Sequence, residues 1–167
     1  MTEIALKGLP ENLNKFLKLI TYTEGTDKQG TPYNELFGYD NFKDYSKHPN
    51  IKVTKNGYTS TAAGRYQILK KTADSLQMKD FTPASQDRAA IQLIKNAGAY
   101  NDVIAGNWNE AIKKTNKIWA SLPGSPYGQP TFTLKKALAF LGTTAGKIST
   151  VAVFFLIITI YFLTRKK

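Results

Sequence analysis

Apolar residues near the start of the chain recur at the spacing of one helical face. They stand at i, i+3, i+4 and i+7, and they are Leu13, Phe16, Leu17 and Ile20. Gly25 follows, and glycine is the residue expected just past a helix C-terminus because it readily adopts positive φ. The pattern therefore predicts a helix that ends at Glu24, with a loop beginning at the next residue.

A short strand pattern comes later in the chain. Ile51 and Val53 alternate with polar residues, as in a half-buried strand. Asn56-Gly57 is a strong sequence for a two-residue turn, and residues 58–60 are placed to return as the second strand. A small β-hairpin is therefore predicted here.

Helical patterns account for most of the chain from this hairpin to residue 142. Thr82-Pro83 predicts an N-cap followed by a first-turn proline, and Pro123-Gly124 predicts the end of a later helix. The predicted helices cover residues 63–76, 83–98, 107–122 and 134–141. The fold class is thus predicted as α+β, mainly helical, with the hairpin between the first two helices.

Residues 148–164 form a run of 17 residues without a charge. As a helix they would span about 25 Å, slightly less than the roughly 30 Å hydrocarbon core of a bilayer. The run has no amphipathic pattern, which argues against a buried core helix. The sequence therefore predicts a domain over residues 1–142, a linker at 143–147, a transmembrane helix at 148–164 and a basic anchor at 165–167.

Composition narrows the chemistry. The 167 residues include no Cys and one His, His48, which excludes disulfides, thiolate chemistry and a His-rich metal site. We expect neither a metal nor an organic cofactor. The net charge is +11, and 19 of the 23 basic residues lie in residues 1–142, so a polyanion is the expected partner. No zinc-finger spacing, basic helix or RNA-binding motif is present, so specific nucleic-acid binding is not expected. Anionic cell wall and anionic lipid are the other candidates, and the alternative is that the charge only maintains solubility.

Glu24 is the residue that carries chemistry in this pattern. A carboxyl group partly screened from water at a helix end would have a raised pKa and could act as a general acid near neutral pH. The alternative is an exposed glutamate with no role beyond ending the helix. Local pattern does not decide between the two.

Five strings in fixed order carry a resemblance that extends over about residues 10–141. They are EGT (24–26), DYSKHP (44–49), STAAGRYQ (60–67), KDFTPASQD (79–87) and IWASLPGSPYGQ (118–129). Together they closely resemble the endolysins of lambdoid phages, a family of lytic transglycosylases with a lysozyme-like fold. The loop between residues 25 and 44 departs from the family pattern, and residues 143–167 are an addition to it.

The resemblance implies cleavage of the β-1,4 bond between N-acetylmuramic acid and N-acetylglucosamine of bacterial peptidoglycan. The product would be a 1,6-anhydromuramoyl end, and Glu24 would be the catalytic acid and base. Substrate binding is expected from Ser60, Thr61, Tyr66, Gln67 and Tyr127, with a core or capping role as the alternative for each. Ser60 and Thr61 could position Glu24, Tyr66 and Tyr127 could stack on sugars, and the Gln67 amide could bond sugar N-acetyl or hydroxyl groups.

A hydrolytic muramidase on the same fold is the first alternative, and it would need a second carboxylate. Muramidases of the glutamate-plus-aspartate type place an aspartate nine residues after the glutamate, and Tyr33 stands at that position. Asp27, Asp40 and Asp44 are the other candidates. A non-catalytic, wall-binding membrane anchor is the second alternative.

The apolar run and the phage resemblance together predict a single-pass membrane protein. Residues 1–7 lack the apolar stretch of a signal peptide, which favours a location in a viral, or virion, membrane. The host inner membrane, with the domain facing the wall, is the alternative. The expected partners are peptidoglycan glycan strands, a lipid bilayer bound through residues 148–164, and other virion proteins. The enzyme would act either at the start of infection or at host lysis.

Overall fold

The structure is a computed structural model of the 167-residue chain. It describes residues 8–27, 32–38, 40–55, 57–128 and 130–142. The predicted linker, transmembrane helix and basic anchor, at residues 143–167, lie outside the described residues. Within the described ranges, no helix is long and apolar enough to cross a membrane.

The first helix, α1, covers Glu11–Glu24 and confirms the predicted pattern. Its predicted apolar residues are all buried, with exposures of 1% or less. The helix ends because Gly25 adopts a left-handed conformation, with φ of 77°, and donates its backbone N–H to the Thr21 carbonyl. Glu24 is therefore the last helical residue, held at the point where the chain changes direction.

The predicted hairpin is present. Strand β1 (Val53–Lys55) pairs antiparallel with β2 (Tyr58–Ser60), and residues 56 and 57 join the two strands. The hydroxyl oxygens of the opposed Thr54 and Thr59 lie 2.7 Å apart. Both strands are largely exposed, so this two-stranded sheet lies at the edge of the helical core.

The helices after the hairpin agree only partly with the prediction. They are α2 (Lys70–Ser75), α3 (Pro83–Asn96), α4 (Tyr100–Ala105), α5 (Trp108–Thr115) and α6 (Leu134–Phe140). Helix α3 begins as predicted, with the Thr82 hydroxyl accepting from the Ser85 N–H. Helix α4, which packs against α1 and α5, is not in the prediction. Helix α5 ends at Thr115, well before the predicted Leu122, and the chain continues as turns.

The helix predicted to begin at residue 63 begins at Lys70 instead. Ala63 forms isolated antiparallel bridges with Leu36 and Ile68, so the chain there is extended and turned. Gly64 and Gln67 have φ values of +73° and +46°, which no α-helix accommodates. Apolar residues of the predicted helical face, such as Tyr66 and Ala73, are buried. Tertiary hydrogen bonds nevertheless override the helical preference of residues 63–69.

Gln86 holds this segment in place from α3. Its side chain is fully buried, and its Oε1 accepts the Arg65 N–H at 2.9 Å. Its Nε2 donates to the backbone carbonyls of Tyr33, at 2.8 Å, and Phe81, at 2.7 Å. One amide side chain therefore satisfies buried backbone groups of three separate segments, each of which would otherwise be costly to leave without a partner.

A second buried group joins the same segments through their side chains. The Asp87 carboxylate accepts from the hydroxyls of Tyr66, at 2.6 Å, and Tyr33, at 3.0 Å. Arg65 donates from Nη1 to the Tyr33 hydroxyl and from Nε to the Thr21 hydroxyl. This network connects α3 to α1, and it gives the Asp87 charge both hydrogen bonds and a nearby cation, as a buried carboxylate requires.

The contact between Gly64 and Gln86 yields a stability prediction. A Cβ added at Gly64 would lie 2.1 Å from Gln86 Oε1, at a residue whose φ is also positive. We expect Gly64→Ala to lower the free energy of unfolding by about 3 kcal/mol or more, because backbone strain adds to disrupted buried hydrogen bonds. Urea unfolding followed by circular dichroism measures this change.

Gly98→Ala is the matched control for this prediction. Gly98 also has positive φ, +67°, but an added Cβ there meets nothing within 4 Å. Its expected cost is about 1 kcal/mol, from backbone strain alone. Equal losses in the two variants would contradict the role given to the Gly64–Gln86 contact.

Candidate active site

Three segments meet around the end of α1, and a hydrogen bond joins each pair of them. The Thr26 hydroxyl donates to the Arg65 carbonyl at 2.7 Å. The Trp119 indole Nε1 donates to the Tyr66 carbonyl at 3.1 Å. The Ser121 hydroxyl lies 2.6 Å from Glu24 Oε1. The helix end, the segment of residues 64–67 and the turns after α5 thus form one closed arrangement around Glu24.

Glu24 has the properties of an acid that works near neutral pH. Its side chain is largely removed from water, although a part of the residue remains accessible. Burial raises the pKa of the Glu24 carboxyl to about 7, against hydrogen bonds from the Ser121 hydroxyl and backbone that lower it. At neutral pH both the protonated and the ionised form are therefore populated, as a group that must give and then take a proton requires.

Ser60 and Thr61, predicted as substrate-binding residues, make local backbone hydrogen bonds. Ser60 Oγ accepts the Ala62 N–H at 3.0 Å, and Thr61 Oγ1 accepts the Lys70 N–H at 3.1 Å, at the start of α2. Both residues are partly exposed. These are capping bonds of the kind named as the alternative, and they leave acceptor capacity on each hydroxyl.

Gln67 lies in the segment tied to the end of α1. Its backbone has φ of +46°, an unusual conformation for a residue other than glycine. Its Nε2 donates to the Gly64 carbonyl at 3.1 Å, and the side chain is partly exposed. Strained backbone often occurs at functional sites, so the place of Gln67 is consistent with its predicted contact with a sugar.

The two tyrosines predicted to stack on sugars have different surroundings. Tyr127 is 56% exposed, and its hydroxyl donates to the Lys117 carbonyl. Tyr66 is fully buried and donates to Asp87. Tyr66 therefore has no exposed surface for stacking on a sugar, and its side chain belongs to the core.

Two of the positions considered for a second carboxylate are engaged elsewhere in this structure. Tyr33, nine residues after Glu24, is buried in the network with Asp87 and Arg65. Asp44 accepts from the backbone and hydroxyl of Ser46, which lower the pKa of its carboxyl. Among the described residues, no charged side chain contributes to the raised pKa of Glu24.

His48 belongs to the core rather than to this arrangement. It is 6% exposed, with Nε2 2.8 Å from the Ile68 carbonyl and Nδ1 accepting the Asn50 N–H. The neutral ring satisfies both partners, and burial lowers its pKa. In the described part of the chain, no three His, Asp or Glu side chains are grouped as a metal site would require.

One residue that contacts the acid, Ser121, was not predicted from the sequence. Ser121 bonds Glu24, and its hydroxyl also lies 3.0 Å from Thr23 Oγ1. Ser121 is inside the string IWASLPGSPYGQ, which identified the resemblance, but nothing in local pattern assigns it a role. A contact across 97 positions could have been found only from the folded chain.

Comparison with known proteins identifies the family of this chain. Residues 14–148 match the Endolysin family. The endolysin of Escherichia phage lambda is 44% identical over 124 residues, which cover 68% of this chain and 78% of that protein. The endolysin of Escherichia phage P2 is 39% identical over 157 residues, which cover 81% of this chain and 94% of that protein. The chain belongs to the Endolysin family.

Solved structures give the fold independently. The structure of bacteriophage lambda lysozyme complexed with a chitohexasaccharide has a TM-score of 0.71 and 37% identity, covering 78% of this chain and 92% of that one. A second lambda lysozyme structure has a TM-score of 0.67 and 38% identity, covering 78% and 90%. The predicted lysozyme-like fold is confirmed, and so is the coarse function of a cell-wall-degrading enzyme that cleaves glycosidic bonds.

The prediction of a single-pass protein of a virion or host membrane is wrong on these findings. The relatives are phage endolysins that match this chain over most of their own length. The bilayer and the other virion proteins, which were predicted as partners on the same ground, have no support from these comparisons.

The raised pKa of Glu24 makes stability depend on pH. Between pH 4.5 and about 7 the folded protein keeps a proton that the unfolded chain has released, so stability falls as pH rises through this window. Gln cannot ionise. We therefore expect Glu24→Gln to raise the free energy of unfolding at pH 8 by about 1–2 kcal/mol, a value discounted for partial exposure, and by almost nothing at pH 4.

Denaturant unfolding at the two pH values measures the difference. Glu11→Gln is the matched control, because it is the same change at the exposed start of α1, where the Lys15 ion pair lowers the pKa. That variant should not be stabilised at pH 8. A Glu24→Gln protein with the same stability gain at both pH values would show that burial of the charge is not the cause.

Proposed function

We propose that this protein is a peptidoglycan lytic transglycosylase in which Glu24 alone serves as acid and base. The observation that carries the proposal is the buried carboxyl of Glu24, with a pKa of about 7, whose hydrogen-bond partner is the neutral hydroxyl of Ser121. A two-carboxylate glycosidase instead sets two acids roughly 5 to 9.5 Å apart and drives their pKa values in opposite directions. Burial, and not a second acid, accounts for the raised pKa of Glu24.

The substrate is the β-1,4 bond between N-acetylmuramic acid and N-acetylglucosamine in a glycan strand. The related lambda lysozyme was solved with a chitohexasaccharide, which is also a β-1,4-linked amino-sugar chain, and this supports glycan binding here. The basic surface of the chain, with a net charge of +11, suits an anionic wall. The family name favours action at lysis.

The chemistry needs one carboxyl group used twice. Protonated Glu24 gives its proton to the glycosidic oxygen as the bond from that oxygen to C1 breaks. The resulting carboxylate takes the proton of the muramic acid C6 hydroxyl, whose oxygen bonds to C1. The product is a 1,6-anhydromuramoyl end, no water is consumed, and Glu24 returns to its protonated form.

Substrate contacts are proposed for four of the residues predicted from the sequence. The Gln67 amide is proposed to bond sugar hydroxyl or N-acetyl groups, and its place in the segment tied to the end of α1 supports this. Tyr127, which is exposed, is proposed to stack on a sugar. Ser60 and Thr61 could accept from the glycan with the lone pairs that remain after their backbone bonds.

Digestion of purified peptidoglycan by the full chain tests this function. We expect muropeptides with anhydro ends, identified by mass spectrometry. Glu24→Gln should lower the rate by about 10²- to 10⁴-fold, because it removes the only proton donor. Glu11→Gln, the same change at the far end of α1, should leave the rate unchanged.

The rival hydrolytic muramidase predicts a different product. Its fragments would be heavier by one water, and a second carboxylate would be required. Asp27→Asn tests the acidic residue that follows Glu24 in the chain and that is exposed in the structure. Hydrated products, together with loss of activity in Asp27→Asn, would replace the proposed mechanism by hydrolysis.

A further inference from the structure

The Ser121 hydroxyl has two oxygen neighbours at hydrogen-bond distance. Glu24 Oε1 lies 2.6 Å from Ser121 Oγ, and Thr23 Oγ1 lies 3.0 Å from it. A hydroxyl carries one proton, so Ser121 can donate to only one of these oxygens at a time. Which oxygen accepts this proton depends on whether Glu24 is ionised and on the other hydrogen bonds that Thr23 makes.

Thr23 is arranged to accept from Ser121. Its Oγ1 lies 3.1 Å from the backbone carbonyl of Ile20, which can only accept. The Thr23 proton is therefore directed to Ile20, which leaves the lone pairs of the threonine oxygen for Ser121. Thr23 is 8% exposed, so these lone pairs are largely shielded from water.

Two arrangements of protons satisfy this chain of oxygens. When Glu24 is ionised, Ser121 donates to its carboxylate, and the short 2.6 Å distance suits a charge-assisted bond. When Glu24 is protonated, its O–H can donate to Ser121 Oγ, and Ser121 turns its own proton to Thr23. Each form of the acid then has a hydrogen bond, with no movement of heavy atoms.

We propose that Ser121 is a positioning residue for Glu24, whose O–H turns from Thr23 Oγ1 to Glu24 Oε1 when the glutamate loses its proton. The role in turnover rests on the proposed function, since it requires Glu24 to pass through both forms. The turning of the hydroxyl is a property of the resting protein and is testable without substrate.

The surroundings suit such a device. The turns after α5 that carry Ser121 are held by the Trp119 hydrogen bond to the Tyr66 carbonyl, which fixes the serine beside the helix end. Among the described residues, the pKa of Glu24 is raised by burial and lowered by hydrogen bonds from the hydroxyl and backbone of Ser121. No charged side chain on α1 or on these turns contributes to it. A neutral partner leaves both forms of the acid accessible.

The proposal predicts opposite effects of two substitutions. Ser121→Ala removes the donor that the ionised form uses, so the pKa of Glu24 should rise, by about one pH unit for a charge-assisted bond. Thr23→Val keeps the branched shape but removes an acceptor that Ser121 uses only when Glu24 is protonated. The pKa of Glu24 should therefore fall in that variant.

Carbon-13 NMR of glutamate carboxyl groups in the full chain measures these values without substrate. The sequence has five glutamates, and the Glu24 resonance is the one that Glu24→Gln removes. Ser125→Ala is the matched control, because its hydroxyl lies in the same turns and, in the part of the chain that the structure describes, has no hydrogen-bond partner. Ser121→Thr should keep the wild-type pKa, because it keeps the hydroxyl.

Shifts in opposite directions, with Ser125→Ala unchanged, would support the proposal. An unchanged pKa in Ser121→Ala or Thr23→Val, or shifts in the same direction in both, would overturn it. If either variant fails to fold, the other still tests the direction. The alkaline limb of the rate profile should move with the pKa in each active variant.

Failure of the proposed function would be visible separately. Hydrated products from the wild-type protein would reject transglycosylation while leaving the NMR shifts to stand or fall on their own. Anhydro products together with an unmoved pKa would instead retain the enzyme and reject the role of Ser121.

Discussion

The segment from Ala63 to Ile68 cannot be helical, because Gly64 and Gln67 have positive φ. Most of its buried backbone N–H and C=O groups therefore form hydrogen bonds with other segments of the chain. Gln86 accepts the Arg65 N–H, the Glu35 carbonyl accepts the Gly64 N–H, and Thr26 and Trp119 donate to carbonyls of the segment. Because an unpaired buried backbone group costs about as much as a lost hydrogen bond, these partners fix the segment against α1, α3 and the turns after α5. Because Thr26 and Ser121 belong to these contacts, they also fix the surroundings of the Glu24 carboxyl.

The same constraint explains why the Glu24 carboxyl is unfavourable for stability and suitable for acid–base chemistry. The end of α1 is covered by segments that arrive from far along the chain, so the carboxyl loses solvation. It also lies at the carbonyl end of a helix, where a negative charge is disfavoured. Burial of this carboxyl lowers the free energy of unfolding at neutral pH, but it also keeps part of the acid protonated there. Such a compromise between stability and activity is common at active sites.

Elements that depend on local sequence were predictable. The face of α1 with its Gly25 cap, the Asn56-Gly57 hairpin and the Thr82-Pro83 start of α3 each need only neighbouring residues. The helix expected from residue 63 was wrong because the left-handed Gly64 and the Gln86 amide, 22 positions away in sequence, decide the conformation there. For the site, the position of Glu24 was predictable, whereas Ser121 was not.

For the reaction proposed above, a neutral hydroxyl is a better partner for a lone acid–base group than a charged one would be. A lysine or arginine at that distance would hold Glu24 ionised and deny it the proton that the first step requires. A second carboxylate would hold it protonated and weaken it as the base of the second step. Ser121 can donate to the ionised form and accept from the protonated one, so each form has a hydrogen bond, the charge-assisted bond to the ionised form being the stronger. In the proposed reaction the acid changes form twice in each turnover, and a neutral partner suits that requirement.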